Sequence, residues 1–211
     1  LKTRTWGAEV FPGSSVPNAM VQLSPVTQFR SGAGYQYEDT VIYGFSHTNK
    51  GHWNLLHLPV LPVTGNVSSG DYASTYSHSN ESARPGYYQV FLERYGVNAE
   101  LTSTLRCAYH KYTFRPDDDK KVLVDITRTN NGVRDWSIQK VDDYTFSGNQ
   151  DAEGNIRFYA VSNYKIEDIR QLKNGEHEVS VVSFADSKGS KPLELKIGFS
   201  FVSIDNAKMN L

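Results

Sequence analysis

The chain has 211 residues, with 22 lysines and arginines against 23 aspartates and glutamates, and a net charge of −1. A charge so close to zero excludes a dedicated nucleic-acid binder, which would carry a strong basic excess. No apolar run approaches the ~18 residues that a membrane-spanning helix needs, so we expect neither a nucleic-acid nor a membrane partner. The 13 tyrosines, 10 phenylalanines and 16 glycines favour strands and turns over a helical bundle.

The first third of the chain differs in composition from the rest. Residues 11–86 contain six of the eight prolines and four of the six histidines, with few long alternations of apolar and polar residues. This composition predicts irregular loops laid over a scaffold, which is where binding groups tend to lie.

The densest group of chemically active side chains lies in residues 44–58 (GFSHTNKGHWNLLHL), where three histidines surround Trp53. Five-residue spacing does not place three imidazoles on one face of a helix or strand, so metal binding is the least favoured interpretation. An exposed tryptophan among polar residues is typical of a sugar site, because the indole packs on the C–H face of a pyranose and its neighbours bond the hydroxyls. A structural loop, with Trp53 in the core, is the alternative.

A second polar group lies in residues 76–88 (YSHSNESARPGYY). Its Glu81 has the chemistry of an acid or base, but it has no visible partner carboxylate, so a capping or turn role is favoured. The acidic run 117–119 predicts a solvated turn. The lone Cys107 excludes an internal disulfide, and its alternating surroundings predict a buried thiol.

From residue 87 onward, alternating apolar and polar residues recur between turn signals. The spacing predicts an all-β fold, an antiparallel β-sandwich, with one face of each sheet packed and the other solvated. We expect residues 1–211 to form a single sandwich domain with long N-terminal loops. Ser203 is placed as an N-cap and predicts the start of a linker helix at the C-terminus. The predicted strand runs are 87–95, 99–114, 121–127, 136–146, 156–164, 178–185 and 193–203.

Four segments, taken together, resemble the N-terminal domain of glycoside hydrolase family 92, the calcium-dependent exo-α-mannosidases. They are residues 11–25 (FPGSSVPNAMVQLSP), residues 34–48 (GYQYEDTVIYGFSHT), residues 77–114 with SHSNE, PGYY, AELT and HKYTF, and the tail 200–211 (SFVSIDNAKMNL). Each segment is weak alone, but the four occur in order from residue 11 to the last residue.

The resemblance implies a sandwich that packs on a C-terminal helical-barrel domain of the same polypeptide, with the active site between the two. The family hydrolyses terminal mannose from glycans with inversion, and its general acid, general base and calcium ligands belong to the helical domain. We therefore expect a mannose-containing glycan as ligand, α-1,2 preference, and calcium only in the missing domain. No catalytic residue and no metal ligand is expected in this chain, and a bacterial periplasmic or secreted location is implied.

The resemblance also implies that loop residues of the sandwich contact the substrate, including an aromatic one. Trp53 is the leading candidate, with Ser46, His47, Asn49 and His52 as its neighbours. The segment 49–53 departs from the family's commoner HLSGTG continuation, which leaves the linkage preference open.

The main alternative is a free-standing carbohydrate-binding sandwich without catalysis. The two hypotheses differ in whether a helical barrel follows Leu211 in the gene. A third, a purely structural sandwich, predicts a buried Trp53 whose fluorescence does not respond to sugars.

Overall fold

A computed structural model describes residues 11–50, 53–175 and 177–211 of the chain. Within these ranges the regular structure is almost entirely β-strand, with a 3-10 turn (His78–Asn80) and a short helix, α1 (Ile204–Met209). The strands in chain order are β1 (Ser14–Ser15), β2 (Gln22–Val26), β3 (Val41–Ile42), β4 (Gly44–Ser46), β5 (Asn49–Lys50), β6 (Trp53–Asn54), β7 (Val60–Val63), β8 (Ser74–Thr75), β9 (Glu81–Arg84), β10 (Tyr87–Leu92), β11 (Val97–Ser103), β12 (Cys107–Thr113), β13 (Lys121–Val124), β14 (Asp135–Lys140), β15 (Thr145–Ala152), β16 (Gly154–Ser162), β17 (Ile166–Asn174), β18 (His177–Phe184) and β19 (Leu193–Ser200).

Two antiparallel sheets form the body of the domain. The seven-stranded sheet has the order β1-β2-β4-β7-β13-β18-β17, and the eight-stranded sheet has the order β14-β15-β16-β19-β12-β11-β10-β9. Two short pairs, β3–β8 and β5–β6, lie outside these sheets. The predicted fold class, an all-β antiparallel β-sandwich, is confirmed.

Apolar side chains from both sheets meet in one continuous core. Strand β10 alternates between partly exposed and buried residues, as expected of a strand with one packed face. Across the sandwich, the Phe45 ring of the first sheet lies 6.3 Å from the Tyr88 ring and 6.4 Å from the Tyr112 ring of the second. Burying each such side chain contributes ~1.5–3 kcal/mol, so these contacts hold the two sheets face to face.

The expectation of irregular loops in residues 11–86 is wrong in part, because this region supplies four of the seven strands of one sheet. Strands β1, β2, β4 and β7 have two to five residues each, and nearly all of these residues are buried. Strands covered on both faces lack the alternation that reveals a half-exposed strand. Pro25 in β2 and Pro62 in β7 also argue against strands in the sequence, because proline is rare inside a sheet.

Several strand boundaries also differ from the prediction. The runs 99–114 and 136–146 each contain a tight turn, closed by the Thr104 amide donating to the Cys107 carbonyl (2.8 Å) and the Val141 amide donating to the Thr145 carbonyl (2.9 Å). The sequence pattern does not predict strand β17, since its IEDIRQLKN sequence is polar and mostly exposed at a sheet edge. The other runs match strands to within a few residues, and Cys107 is buried as predicted.

The predicted C-terminal helix is present. Ser203 caps it, because its hydroxyl accepts a hydrogen bond from the Asn206 amide at 3.1 Å. The helix lies so close to β19 that a Cβ on Gly198 would come within 2.1 Å of the Ala207 carbonyl oxygen. Glycine at position 198 therefore permits the helix to pack on the sandwich.

Candidate functional site

The centre of the predicted site is a short hairpin that follows strand β4. Strands β5 and β6 pair Lys50 with Trp53 and Asn49 with Asn54. Trp53 and Asn49 are partly exposed, Lys50 is exposed, and Asn54 is fully buried. His52, predicted as a neighbour of Trp53, lies outside the described residues.

Asn54 fastens the hairpin to the protein beneath it. Its side-chain oxygen accepts a hydrogen bond from the Leu56 amide at 2.9 Å, and its side-chain nitrogen donates to the Ala33 carbonyl at 3.1 Å. The Ser46 hydroxyl lies 3.3 Å from both polar atoms of the Asn54 amide. The buried side chains of Asn54 and Ser46 are thus paired within the protein, which fixes the chain immediately after Trp53.

Asn130 connects the hairpin to the loop of residues 27–40. Its side-chain nitrogen donates to the Ser31 carbonyl at 2.8 Å and to the Asn54 carbonyl, while its oxygen accepts from the Arg30 amide at 2.6 Å. One nearly buried side chain therefore joins three segments that are distant in sequence.

His47 lies in the core rather than at the surface. It is fully buried, its Nε2 is 3.0 Å from His110 Nε2, and its ring centroid is 4.7 Å from that of Phe199. Burial lowers the pKa of His47 to about 3 and the pKa of His110 well below its usual value. Both rings are therefore neutral near pH 7, and one Nε2 donates its proton to the other.

His57 completes this buried layer. Its Nδ1 lies 2.7 Å from the Thr48 hydroxyl, and burial lowers its pKa to about 4. The layer beneath the hairpin thus consists of polar side chains that hydrogen-bond within the protein, although the buried His57 Nε2 has no partner among the described residues. We call it the buried polar layer; its members are Ser46, His47, Thr48, Asn54, His57, His110 and Asn130.

The structure divides the predicted site residues into two groups. Trp53 and Asn49 reach solvent on the hairpin, whereas Ser46 and His47 lie in the buried polar layer below it. The geometry therefore gives Trp53 access to a ligand and gives Ser46 and His47 a supporting position. The Asn49 side-chain nitrogen is buried and has no hydrogen-bond partner among the described residues. Sugar binding by this set stays a prediction.

Charged residues of the β15–β16 turn lie beside the hairpin. Lys50 forms an ion pair with Glu153 at 2.7 Å, and Asn131 donates to the same carboxylate. The hydrogen bond from Lys50 lowers the pKa of Glu153. Arg134 similarly pairs with Asp151 at 2.5 Å. Glu153 beside the hairpin and Asp151 at the end of β15 are thus each paired with a cation.

The donor set beside the hairpin does not fit calcium, which takes six to eight oxygen ligands. Among the described residues, no three His, Cys, Asp or Glu side chains are grouped to hold a metal ion. Glu153 and Asp151 are separately paired with Lys50 and Arg134. These carboxylates therefore serve as partners of the neighbouring cations and not as a calcium cradle.

Glu81 has a structural position of its own. Its carboxylate accepts hydrogen bonds from the Tyr88 hydroxyl at 2.7 Å, from the Tyr35 hydroxyl at 3.2 Å and from His78 Nδ1 at 2.5 Å. Three donors leave the carboxylate little capacity to act as a general base. This geometry agrees with the favoured structural role and not with the acid–base alternative.

Within the described ranges, no helix has the length and apolar character that crossing a membrane would require.

The two packed sheets and the hairpin supported by buried polar groups define the chain as a β-sandwich domain with a loop-borne candidate site. The chain belongs to glycoside hydrolase family 92, because the model of the Glycosyl hydrolase family 92 N-terminal domain matches residues 3–200. The resemblance drawn from the sequence is thereby confirmed.

Solved structures of this family share the fold. The GH92 α-mannosidase BT3965 from Bacteroides thetaiotaomicron matches 96% of this chain with a TM-score of 0.85 and 28% identity, and has also been solved with mannoimidazole. The inverting mannosidase BT2199 from Bacteroides thetaiotaomicron VPI-5482 matches 96% of the chain with a TM-score of 0.82 and 23% identity. The chain spans 32% and 30% of these two structures. A comparison with curated proteins finds no match.

Proposed function

We propose that this chain is the N-terminal lobe of an inverting exo-α-mannosidase, and that it forms one wall of the site where terminal α-1,2-linked mannose is removed from glycans. The observation that carries the proposal is the hairpin, which presents Trp53 at the surface above the buried polar layer. A partly exposed indole packs on the C–H face of a pyranose. Family membership and the mannoimidazole complex of BT3965 support mannose as the sugar.

We propose that the acid, the base and calcium belong to the remainder of the parent polypeptide. Inverting hydrolysis requires two carboxyl groups ~6.5–9.5 Å apart, one to protonate the leaving oxygen and one to activate water. The carboxylates beside the hairpin are paired with Lys50 and Arg134. The purified 211-residue chain should therefore not hydrolyse an aryl α-mannoside, with or without added calcium. Turnover above the uncatalysed rate would place the acid and base in this chain.

The proposed partner, a C-terminal helical-barrel domain, has an apolar surface to contact. Phe201, Val202 and Met209 are 50%, 74% and 76% exposed, and exposed apolar patches mark interaction surfaces. The Phe201 end of this patch lies near the buried polar layer, because a Cβ on Gly154 would lie 3.3 Å from the Phe201 ring and 4.0 Å from the His57 ring. We propose that a domain packed there also reaches the hairpin supported by that layer.

The double variant Val202→Ser and Met209→Ser tests this contact in the full-length parent enzyme. Loss of apolar contact area should lower its melting temperature and increase proteolysis between the two domains. Val141→Ser is the matched control, since Val141 is 48% exposed in the distant β14–β15 turn. Equal behaviour of both variants would rule out the patch as the domain contact.

Trp53→Ala in the parent enzyme tests the sugar contact. Removing the ring should lower kcat/KM about tenfold, the equivalent of ~1.4 kcal/mol of transition-state binding. Trp53→Phe should restore part of the loss. Trp136→Phe is the control, because Trp136 packs against the core from strand β14. An unchanged kcat/KM for Trp53→Ala would remove Trp53 from the site.

A bacterial periplasmic or secreted location is proposed on the family resemblance alone. Cell fractionation of the native host would test it, and recovery of the parent enzyme in the cytosol would contradict it.

A further inference from the structure

A second aromatic surface lies on the loop of residues 27–40, apart from the Trp53 hairpin. Tyr37 is 64% exposed, whereas other tyrosines of the protein, such as Tyr88 and Tyr112, are fully buried in the core. Its ring lies parallel to the His78 ring, with centroids 4.0 Å apart and planes 2° apart. The imidazole therefore covers one face of Tyr37, and the 64% exposure means that much of the remaining side chain reaches solvent.

His78 is held by both of its ring nitrogens. Nδ1 lies 2.5 Å from a Glu81 carboxylate oxygen, and Nε2 lies 2.5 Å from the Tyr37 carbonyl oxygen. Since both partners can only accept hydrogen bonds, both nitrogens carry a proton and the ring is cationic in this arrangement. The Tyr76 ring meets the His78 ring edge-on at 5.4 Å and fixes it from a third direction.

The support for this stack extends into the core. Glu81, which holds His78, also accepts hydrogen bonds from Tyr35 and from the fully buried Tyr88. Tyr37 is thus an exposed ring on a rigid foundation. Such preorganisation lowers the ordering cost of binding, because no side chain has to be immobilised by the ligand.

The surroundings of Tyr37 favour a neutral, hydroxyl-rich ligand. Ser79 and Asn80 are exposed at the adjacent 3-10 turn and offer a hydroxyl and an amide. The His78 charge is compensated by Glu81, so the stack carries no unpaired positive charge from His78 that would select an anion. A pyranose combines an apolar C–H face for the ring with hydroxyls for the polar groups beside it.

We propose that Tyr37, stacked on His78, is a second carbohydrate-binding platform that contacts a neutral pyranose away from the Trp53 hairpin. The proposal rests on the proposed function in one respect, that this chain contacts mannose-containing glycans. Both surfaces are built on the loop of residues 27–40: a Cβ on Gly34 would lie 3.1 Å from the Asn54 amide, and Tyr35 bonds Glu81. A glycan longer than one sugar is therefore the ligand class that both surfaces suit.

The experiment is affinity electrophoresis of the 211-residue chain through gels containing soluble α-mannan. The wild-type chain should be retarded, and Tyr37→Ala should weaken binding about tenfold because a stacking face is lost. Tyr37→Phe keeps the ring and should stay within twofold of wild type. Tyr144→Ala is the matched control, since Tyr144 is 49% exposed in the β14–β15 turn. Circular dichroism of each variant shows that the fold is retained.

The outcomes separate this proposal from the proposed function. Retardation that is unchanged in Tyr37→Ala but lost in Trp53→Ala would overturn the platform and leave the proposed function standing. Equal losses in Tyr37→Ala and Tyr144→Ala would also overturn it, and so would a wild-type chain that is not retarded at all. The proposed function is judged separately, by kcat/KM of Trp53→Ala in the parent enzyme.

Discussion

The buried polar layer and the His78–Glu81 cluster use the same residue type in opposite states. His47 and His110 are fully buried, and desolvation lowers their pKa values, so they pack as neutral rings. His78 is partly exposed, and its hydrogen bond to Glu81 raises its pKa. The first pair supports a hairpin from below, whereas the second supports an aromatic ring at the surface.

This difference shows that a cluster of histidines in a sequence does not define a ligand site. Around Trp53, two of the three histidines have described side chains, His47 and His57, and both are buried and bonded within the protein. Their contribution is to hold the hairpin rigid. Of the predicted site residues with described side chains, Trp53 and Asn49 are the partly exposed ones.

The largest effect is expected from breaking the buried polar layer at Asn54. Asn54→Ala leaves the Leu56 amide and the Ala33 carbonyl without their partners. Each unsatisfied buried group costs ~1–3 kcal/mol, so the free energy of unfolding should fall by about 3 kcal/mol in denaturant titrations. Asn66→Ala, at an exposed position, should change it by less than about 0.5 kcal/mol. Similar changes in the free energy of unfolding for the two variants would show that the Asn54 hydrogen bonds do not stabilise the hairpin.

The next largest effect is the acid sensitivity of the buried histidines. The folded-state pKa of His47 is about 3, below the ~6.5 of an unfolded histidine, so protons bind preferentially to the unfolded chain. Stability from this group is complete above pH ~6.5 and is lost as the pH falls toward 3. The loss should reach at most about 1.4 kcal/mol per pH unit for each such histidine.

His110→Gln tests this acid sensitivity. The variant should flatten the dependence of unfolding free energy on pH between 6.5 and 4. An unaltered slope would mean that the His47–His110 pair is not the acid-sensitive element.

His78 should show the opposite pH dependence. Its folded-state pKa is raised, so the stability that it contributes is complete below the unfolded value and is lost as the pH rises through the folded value. The groups acting on it are Glu81, Glu38 and the Tyr37 carbonyl. NMR titration of the His78 ring should give a pKa above that of a model histidine. A pKa at or below that of a model histidine would show that Glu81 and the Tyr37 carbonyl do not hold His78 in its cationic form.

The smallest effect is expected from the exposed pair between Lys50 and Glu153. Solvent screens such pairs and long side chains lose entropy in forming them. Lys50→Met should therefore leave the denaturation midpoint within experimental scatter. A clear shift would mean that the rim of the hairpin, and not only the layer below it, holds Trp53 in place.

The sequence predicts the sandwich well, because strands β10, β11, β12, β16, β18 and β19 are long enough to display alternation. It also locates the hairpin segment through the residue types around Trp53. It cannot show that His47 is buried, since its partner His110 is 63 residues away. The Tyr37 platform is missed for the same reason, because His78 lies 41 residues from Tyr37.

The central claim is that the hairpin presents Trp53 to the sugar. A crystal structure of the parent enzyme with a thio-linked, uncleavable α-1,2-mannobiose tests it most directly. The account predicts the Trp53 indole within ~4.5 Å of a pyranose ring, with the hairpin unmoved above the buried polar layer. A bound disaccharide that makes no contact with Trp53 would contradict it.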